Sequence, residues 1–152
     1  MSRVFKILSI WFIFGMCYFT LEGIYRIPKG GFANLIMLFI GGLCGVLIGS
    51  INQFPKFNNM AVWKQAAIGT VLTLIVEYAS GYVLNIKLGL NIWNYSDMYF
   101  NIKGQICLEF ALIWFLLMPI AIWLEDYIRF KFWEEGYEYS LKDIYIKFIR
   151  LK

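Results

Sequence analysis

Four apolar runs, each about as long as a bilayer is deep, leave this chain few ways to fold. A hydrocarbon core of about 30 Å takes roughly 20 helical residues to cross. Windows from Ile7 to Tyr25, Phe32 to Ile51, Val62 to Ile86 and Gly104 to Leu124 meet that length. They occupy most of the 152 residues, so 61% of the chain is apolar and only 16% is charged. Soluble proteins run nearer half and a quarter, and a soluble globule this small buries too little surface to hide the excess. That excludes an ordinary cytosolic enzyme, a disordered tail and a secreted disulfide scaffold. The expected fold is an all-α membrane protein: a four-transmembrane-helix bundle over residues 1–124, then a cytoplasmic tail, 125–152, ending in an amphipathic helix.

The connections set the orientation. Arg26-Ile27-Pro28-Lys29-Gly30-Gly31 is a tight link, so the first two spans should form an antiparallel hairpin. The second loop, Asn52 to Ala61, is also short; the third, Lys87 to Lys103, is longer. Four crossings put both ends on one side, which carries Arg3, Lys6, Lys56, Lys64, Arg129, Lys131 and Lys142 against Arg26, Lys29, Lys87 and Lys103 opposite. Seven bases against four place both termini in the cytoplasm. The net charge of +4 therefore reads as topology, with no nucleic-acid partner implied. The N-terminal stretch has no small-x-small cleavage site and is expected to stay as the first span. Phe14 and Met16 are poor residues to precede a lipidated Cys17.

Gly41, Gly45 and Gly49 fall on one helical face, with Gly42 beside them. Small residues let two backbones approach closely in lipid, either within the subunit or in a homo-oligomer. Pro119 should kink the fourth span. Ser140-Leu141-Lys142-Asp143 has the form of a capped helix start. The helix after it, with Leu141, Ile144, Tyr145 and Phe148 on one face, is expected on the inner membrane surface, with docking to a partner protein as the alternative. The chain has no histidine, and Cys17, Cys44 and Cys107 are scattered, so no metal site, cofactor or disulfide framework is expected.

Three carboxylates lie inside the spans. Each of Glu22, Glu77 and Glu109 costs about 2.5–3.5 kcal/mol at a helix centre and less near an interface. Glu77 is the deepest, roughly 13 Å along the helix axis from the outer end of its span. It shares a stripe with Thr70, Thr73 and Gly81, which suits a bundle interior. Glu22 has Arg26 one turn later as an (i, i+4) ion-pair partner, and Glu109 has Gln105 one turn earlier. In one reading these acids are structural: Glu22 pairs with Arg26, Glu109 with Lys103, and Glu77 bonds threonines. In the other they line an outward-facing polar pocket for a cation or a polar headgroup, together with the third loop. That loop supplies Trp93, Tyr95, Ser96 and Asn101, and the residues just after it supply Gln105. Its aromatics also fit an interfacial belt, and Asn94-Tyr95-Ser96 matches the glycosylation sequon.

Glu77-Tyr78-Ala79-Ser80-Gly81, Trp93-Asn94-Tyr95-Ser96, and Asn101-Ile102-Lys103-Gly104-Gln105-Ile106-Cys107-Leu108 with Trp114 downstream resemble the ABC-transporter type IV (CmpB-like) family, which vertebrate transmembrane protein 229 also resembles. The likeness covers roughly Phe14 to Leu124, and the chain is similar to short bacterial and phage-borne members, including at Gly41-Gly42-Leu43-Cys44. Members commonly have Asp where this chain has Asn94, so a charge there is dispensable. The resemblance implies a multi-span bacterial membrane protein of permease type. No G-x-x-x-x-G-K-[ST] phosphate loop is present, so transport by this chain would need a separate ATPase and an oligomer.

The leading expectation is a membrane protein with an acid-lined pocket for transport or ligand binding. The alternative is a scaffold or accessory subunit whose acids only hold the bundle together. Catalysis is not expected, because no histidine, nucleophile–base pair or metal-ligand cluster stands in the sequence.

Overall fold

The computed structural model describes residues 2–151. Met1 and Lys152, the outermost residues of the expected N-terminal span segment and tail, lie outside the described residues. Among the described residues six α-helices follow one another: α1 (Arg3–Arg26), α2 (Ile36–Asn52), α3 (Pro55–Asn58), α4 (Val62–Gly81), α5 (Leu108–Trp133) and α6 (Leu141–Ile149). A 3-10 turn, Ile27–Lys29, closes α1, and a π turn, Tyr82–Lys87, extends α4. Among the described residues the only β-like feature is one bridge, Ile102 to Ile106, in the loop before α5.

The starts and stops follow local chemistry. Ser2 caps α1 by accepting from the Phe5 N–H. Pro28 fits the first turn of the 3-10 segment, and Gly30, at φ +78°, ends it in the left-handed region that glycine favours. Ser140 and Asp143 form the expected capping box at α6.

Among the described residues three segments are long and apolar enough to cross a membrane: Arg3–Lys29, Val62–Lys87 and Leu108–Trp133. The 17 residues of α2 rise about 26 Å, at the short end of spanning length. It packs antiparallel along α1: Gly41 faces Tyr18, Gly42 faces Trp11, Gly45 faces Phe14 and Gly49 faces Glu125. The glycine face is thus filled by α1 and α5 of the same chain. A homo-oligomer through Gly41, Gly45 and Gly49 is not open to the folded subunit, because those faces are covered from within.

The helix expected from Gly104 begins four residues later, since Gly104 to Cys107 belong to the preceding loop. It also continues past Leu124 to Trp133, where Glu134 (φ 56°) ends it. Residues from Glu125 onward therefore enter the bundle, and Glu125 is fully buried. The last helix departs from expectation as well. Its apolar face turns onto α4 and α5: Ile144 packs with Val62, Ala66 and Ile122, the Phe148 ring lies 5.2 Å from that of Phe115, and the Tyr145 hydroxyl donates to the Leu116 carbonyl at 2.7 Å. A helix lying free on the membrane surface would leave those contacts unmade. The bundle so built has a lid end, carrying the loop between α4 and α5, and a tail end, carrying the start of α1 and the segment that leads to α6.

Candidate functional site

At the lid end, the polar stripe of α4 turns inward. The Thr70 and Thr73 hydroxyls donate back to the carbonyls of Ala66 and Gly69, at 2.8 and 3.0 Å, so neither is available to Glu77. The Glu77 carboxylate is 3% exposed. Its Oε1 accepts from the Tyr18 hydroxyl at 2.7 Å; its Oε2 is buried without a partner, as is Nε1 of Trp114. The Tyr18 and Trp114 rings stack at 5.1 Å. The Trp114 indole N–H also faces Glu77 without closing a well-formed hydrogen bond to it, and a buried acid whose second oxygen is so weakly held is costly unless something else binds it.

The lid is fastened above this acid. Glu22 and Arg26 form the expected (i, i+4) ion pair on α1, and Arg26 Nη2 also donates to the Ile92 carbonyl at 2.7 Å, tying the loop to α1. Trp93 Nε1 donates to the Gln105 carbonyl at 3.0 Å. The Gln105 side chain accepts from Asn85 at 2.8 Å, and Asn85 in turn accepts from the Ile92 N–H. These groups close directly on Gly81: a Cβ there would stand 2.3 Å from Gln105 Oε1 and 2.9 Å from the Trp93 ring. Glycine is what lets the lid sit flat on α4.

Ser96 and Asn101 shape the loop. Asn94 Oδ1 accepts from both the N–H and the hydroxyl of Ser96, Asn101 Nδ2 donates to the Ser96 and Met98 carbonyls, and the Gly104 N–H donates to Asn101 Oδ1 at 3.1 Å. Tyr95 stacks on Phe110 at 4.7 Å. Burial pushes its phenol pKa up, reinforced by the nearby Glu77 and Glu22 charges. The structure therefore gathers Glu77, Glu22, Arg26, Trp93, Tyr95 and Gln105 into one region, with Ser96 and Asn101 supporting it from the exposed side. Glu109 does not join them; it is exposed on the first turn of α5 and forms no ion pair with Lys103.

Beside the acid, α1 and α5 stand apart over a groove of about 500 Å3 floored by Gly41, Cys44 and Thr73. Tyr18 and Trp114 line its wall; Glu77, bonded to Tyr18, does not itself line the groove. Its surface is almost wholly carbon, so the cavity adjoining the carboxylate is apolar, where the sequence suggested a polar one. Tyr18 and Trp114 were not singled out as site residues; the available signals were Tyr18 one turn before Glu22, and Trp114 in the family motif.

The family model described as "Putative ABC-transporter type IV" matches residues 5–147. The chain belongs to that family. Neither the curated proteins nor the solved structures yield a match. The family match reaches beyond the Phe14-to-Leu124 stretch that carries the visible motifs, and it takes in a second polar constellation of this ABC-transporter type IV protein, at the tail end.

There, Asn52 of α2 donates from Nδ2 to Glu125 Oε2 at 2.9 Å and to Asp126 Oδ1 at 2.8 Å. Arg129 pairs with Glu125 and reaches Glu135 at 2.9 Å, while Lys6 of α1 pairs with Glu135 from the other side. Those bonds, the Lys6 one foremost, hold the Glu135 carboxyl below the usual glutamate range. Tyr139 donates to Asp126 at 2.6 Å. This network joins α1, α2, α5 and the segment leading to α6. Sequence reasoning missed it because Glu125 follows an apolar run directly, where a charge normally meets water; its one signal was Arg129 at i+4.

Proposed function

We propose that this chain is a multi-pass bacterial membrane protein of permease type that binds a lipophilic cation against Glu77. Four helices cross the cell membrane with both termini in the cytoplasm, so that the lid faces outward. The observation that carries this reading is the buried Glu77 carboxylate with Oε2 unpartnered, next to an apolar groove open between α1 and α5. A carbon-walled groove favours an apolar ligand body. The carboxylate and the stacked Tyr18–Trp114 faces favour its positive charge. Transport would require further subunits, namely a separate ATPase and a second membrane partner or copy meeting this chain on a face other than the glycine stripe.

The accessory-subunit reading has its own support in the Glu22–Arg26–Ile92 clamp, which satisfies Glu22 within the fold. Binding of tetraphenylphosphonium to the chain in lipid nanodiscs separates the two. Glu77→Gln should weaken binding at least tenfold, or about 1.4 kcal/mol, while Glu109→Gln, altering an exposed acid, should leave it unchanged. Equal affinity in wild type and Glu77→Gln would refute the ligand-binding reading and leave the acids structural. Native mass spectrometry of the same nanodiscs would report subunit number and any retained ATPase.

A further inference from the structure

A second cavity, of about 390 Å3, opens at the tail end between the α3–α4 corner, α5 and α6. Gln65 on its wall lies twelve residues before Glu77, about 18 Å down the same helix, so the two sites are separate. Gln65 is 5% exposed. Its Nε2 donates to the Met60 and Asn58 carbonyls at 2.8 and 3.2 Å, which fixes the amide orientation and leaves Oε1 as an acceptor with no partner among the described residues. Asp126 also lines the cavity. It accepts from Asn52 and Tyr139, but no cation pairs with it among the described residues, since Arg129 is taken by Glu125 and Glu135.

The opposite charge comes from α6. Lys147 lines the same cavity and forms no ion pair among the described residues. Tyr137 and Tyr139 add two ring faces with centroids 5.7 Å apart, and rings of this kind attract ammonium groups. The floor is apolar, made by the buried side chains of Val62, Ile122 and Ile144. A carboxylate without a paired cation, a lysine without a paired anion and a hydrocarbon floor at the end of a membrane bundle describe an amphipathic zwitterion.

We propose that this cavity binds a phosphate ester carrying a protonated amine, the chemistry of an aminophospholipid headgroup. Lys147 takes the phosphate. Asp126 and Gln65 Oε1 accept from the amine, and the apolar floor receives the start of an acyl chain. A phosphate lipid without an amine brings no cation to the Asp126 charge and to Gln65 Oε1, and binds more weakly.

The test titrates the full chain in maltoside micelles with short-chain phosphatidylethanolamine, short-chain phosphatidylglycerol and free phosphoethanolamine. Phosphatidylethanolamine should bind at least tenfold more tightly than phosphatidylglycerol. Lys147→Glu should lower that affinity at least tenfold, with thermal unfolding checking that the variant remains folded. Lys142→Glu, on an exposed lysine that does not line the cavity, and Glu77→Gln should not change it. If free phosphoethanolamine binds as well as the lipid, the site serves a soluble ligand; if it binds tenfold less tightly, the floor holds a lipid chain; either supports the cavity's headgroup chemistry. Equal affinity for the two lipids, wild-type affinity in folded Lys147→Glu, or no saturable binding would overturn the proposal.

Discussion

Arg129 serves two carboxylates at once, Glu125 on its own helix and Glu135 beyond the helix end. The first is wholly buried and the second partly exposed, so the two pairs differ in worth. Exposed pairs contribute about 0–1 kcal/mol, whereas removing one partner of a buried pair costs about 3–5 kcal/mol through the charge left behind. Arg129→Ala should therefore destabilise the chain by about 3 kcal/mol in detergent unfolding, since protonation of Glu125 limits the loss. Adding Glu125→Gln to Arg129→Ala should restore much of that stability. If the double variant is no more stable than the single one, Glu125 is not the charge that Arg129 neutralises. Glu77 presents the contrasting case: an equally buried acid with a phenol where Glu125 has a guanidinium. Its inward direction was legible because Thr70, Thr73 and Gly81 mark the same face. Its partner was not, because Tyr18 lies 59 residues earlier on another helix and nothing in a single chain records which turn of α1 meets α4.

At the scale of elements, spacing foretold more than partner choice. The hairpin of α1 and α2, the internal proline of α5 and the capped start of α6 all follow from residues close in sequence. Which face of α6 finds which neighbour does not, because an apolar stripe of Ile144, Tyr145 and Phe148 fits a bilayer surface as well as another helix. The glycine stripe of α2 was equally ambiguous between internal and external use, and the structure gives it to α1 and Glu125. A Cβ added at Gly45 would stand 2.3 Å from both Cβ and Cγ of Phe14. Cβ is fixed by the α1 backbone, so rotamer change cannot relieve the clash and the helices must separate. Gly45→Ala should cost about 1–3 kcal/mol. Gly23→Ala, whose Cβ would meet only Ala33 and Ile27 at 3.8 Å or more, should be neutral or stabilising by up to about 1 kcal/mol. Thermal unfolding of both variants in one detergent checks the contrast, and equal losses would mean that helix approach at Gly45 is not close.

For the whole molecule, the antiparallel register of α1 and α2 bears directly on topology. Contacts run from Gly41 opposite Tyr18 to Gly45 opposite Phe14 and on to Gly49 beside Glu125, so α2 returns the chain to the end where α1 began. With α4 and α5 making the next round trip, the lid and the tail should face opposite sides of the membrane even though α2 is short. Single cysteines in a background with Cys17, Cys44 and Cys107 replaced by serine would report this. A cysteine at Tyr99, which is 77% exposed in the lid, should react with an impermeant maleimide added to intact cells. A cysteine at Glu138, exposed in the segment before α6, should react only after permeabilisation. Labelling of both from one side would mean that α5, the one long helix between them, does not cross, and would remove the four-pass arrangement. The reverse pattern, with Glu138 reactive in intact cells, would put the lid in the cytoplasm, either because all four passes are inverted or because the short α2 does not cross. In the first case the Lys and Arg excess at the tail end would have failed to set the orientation, and in both the ligand would approach Glu77 from the cytoplasm.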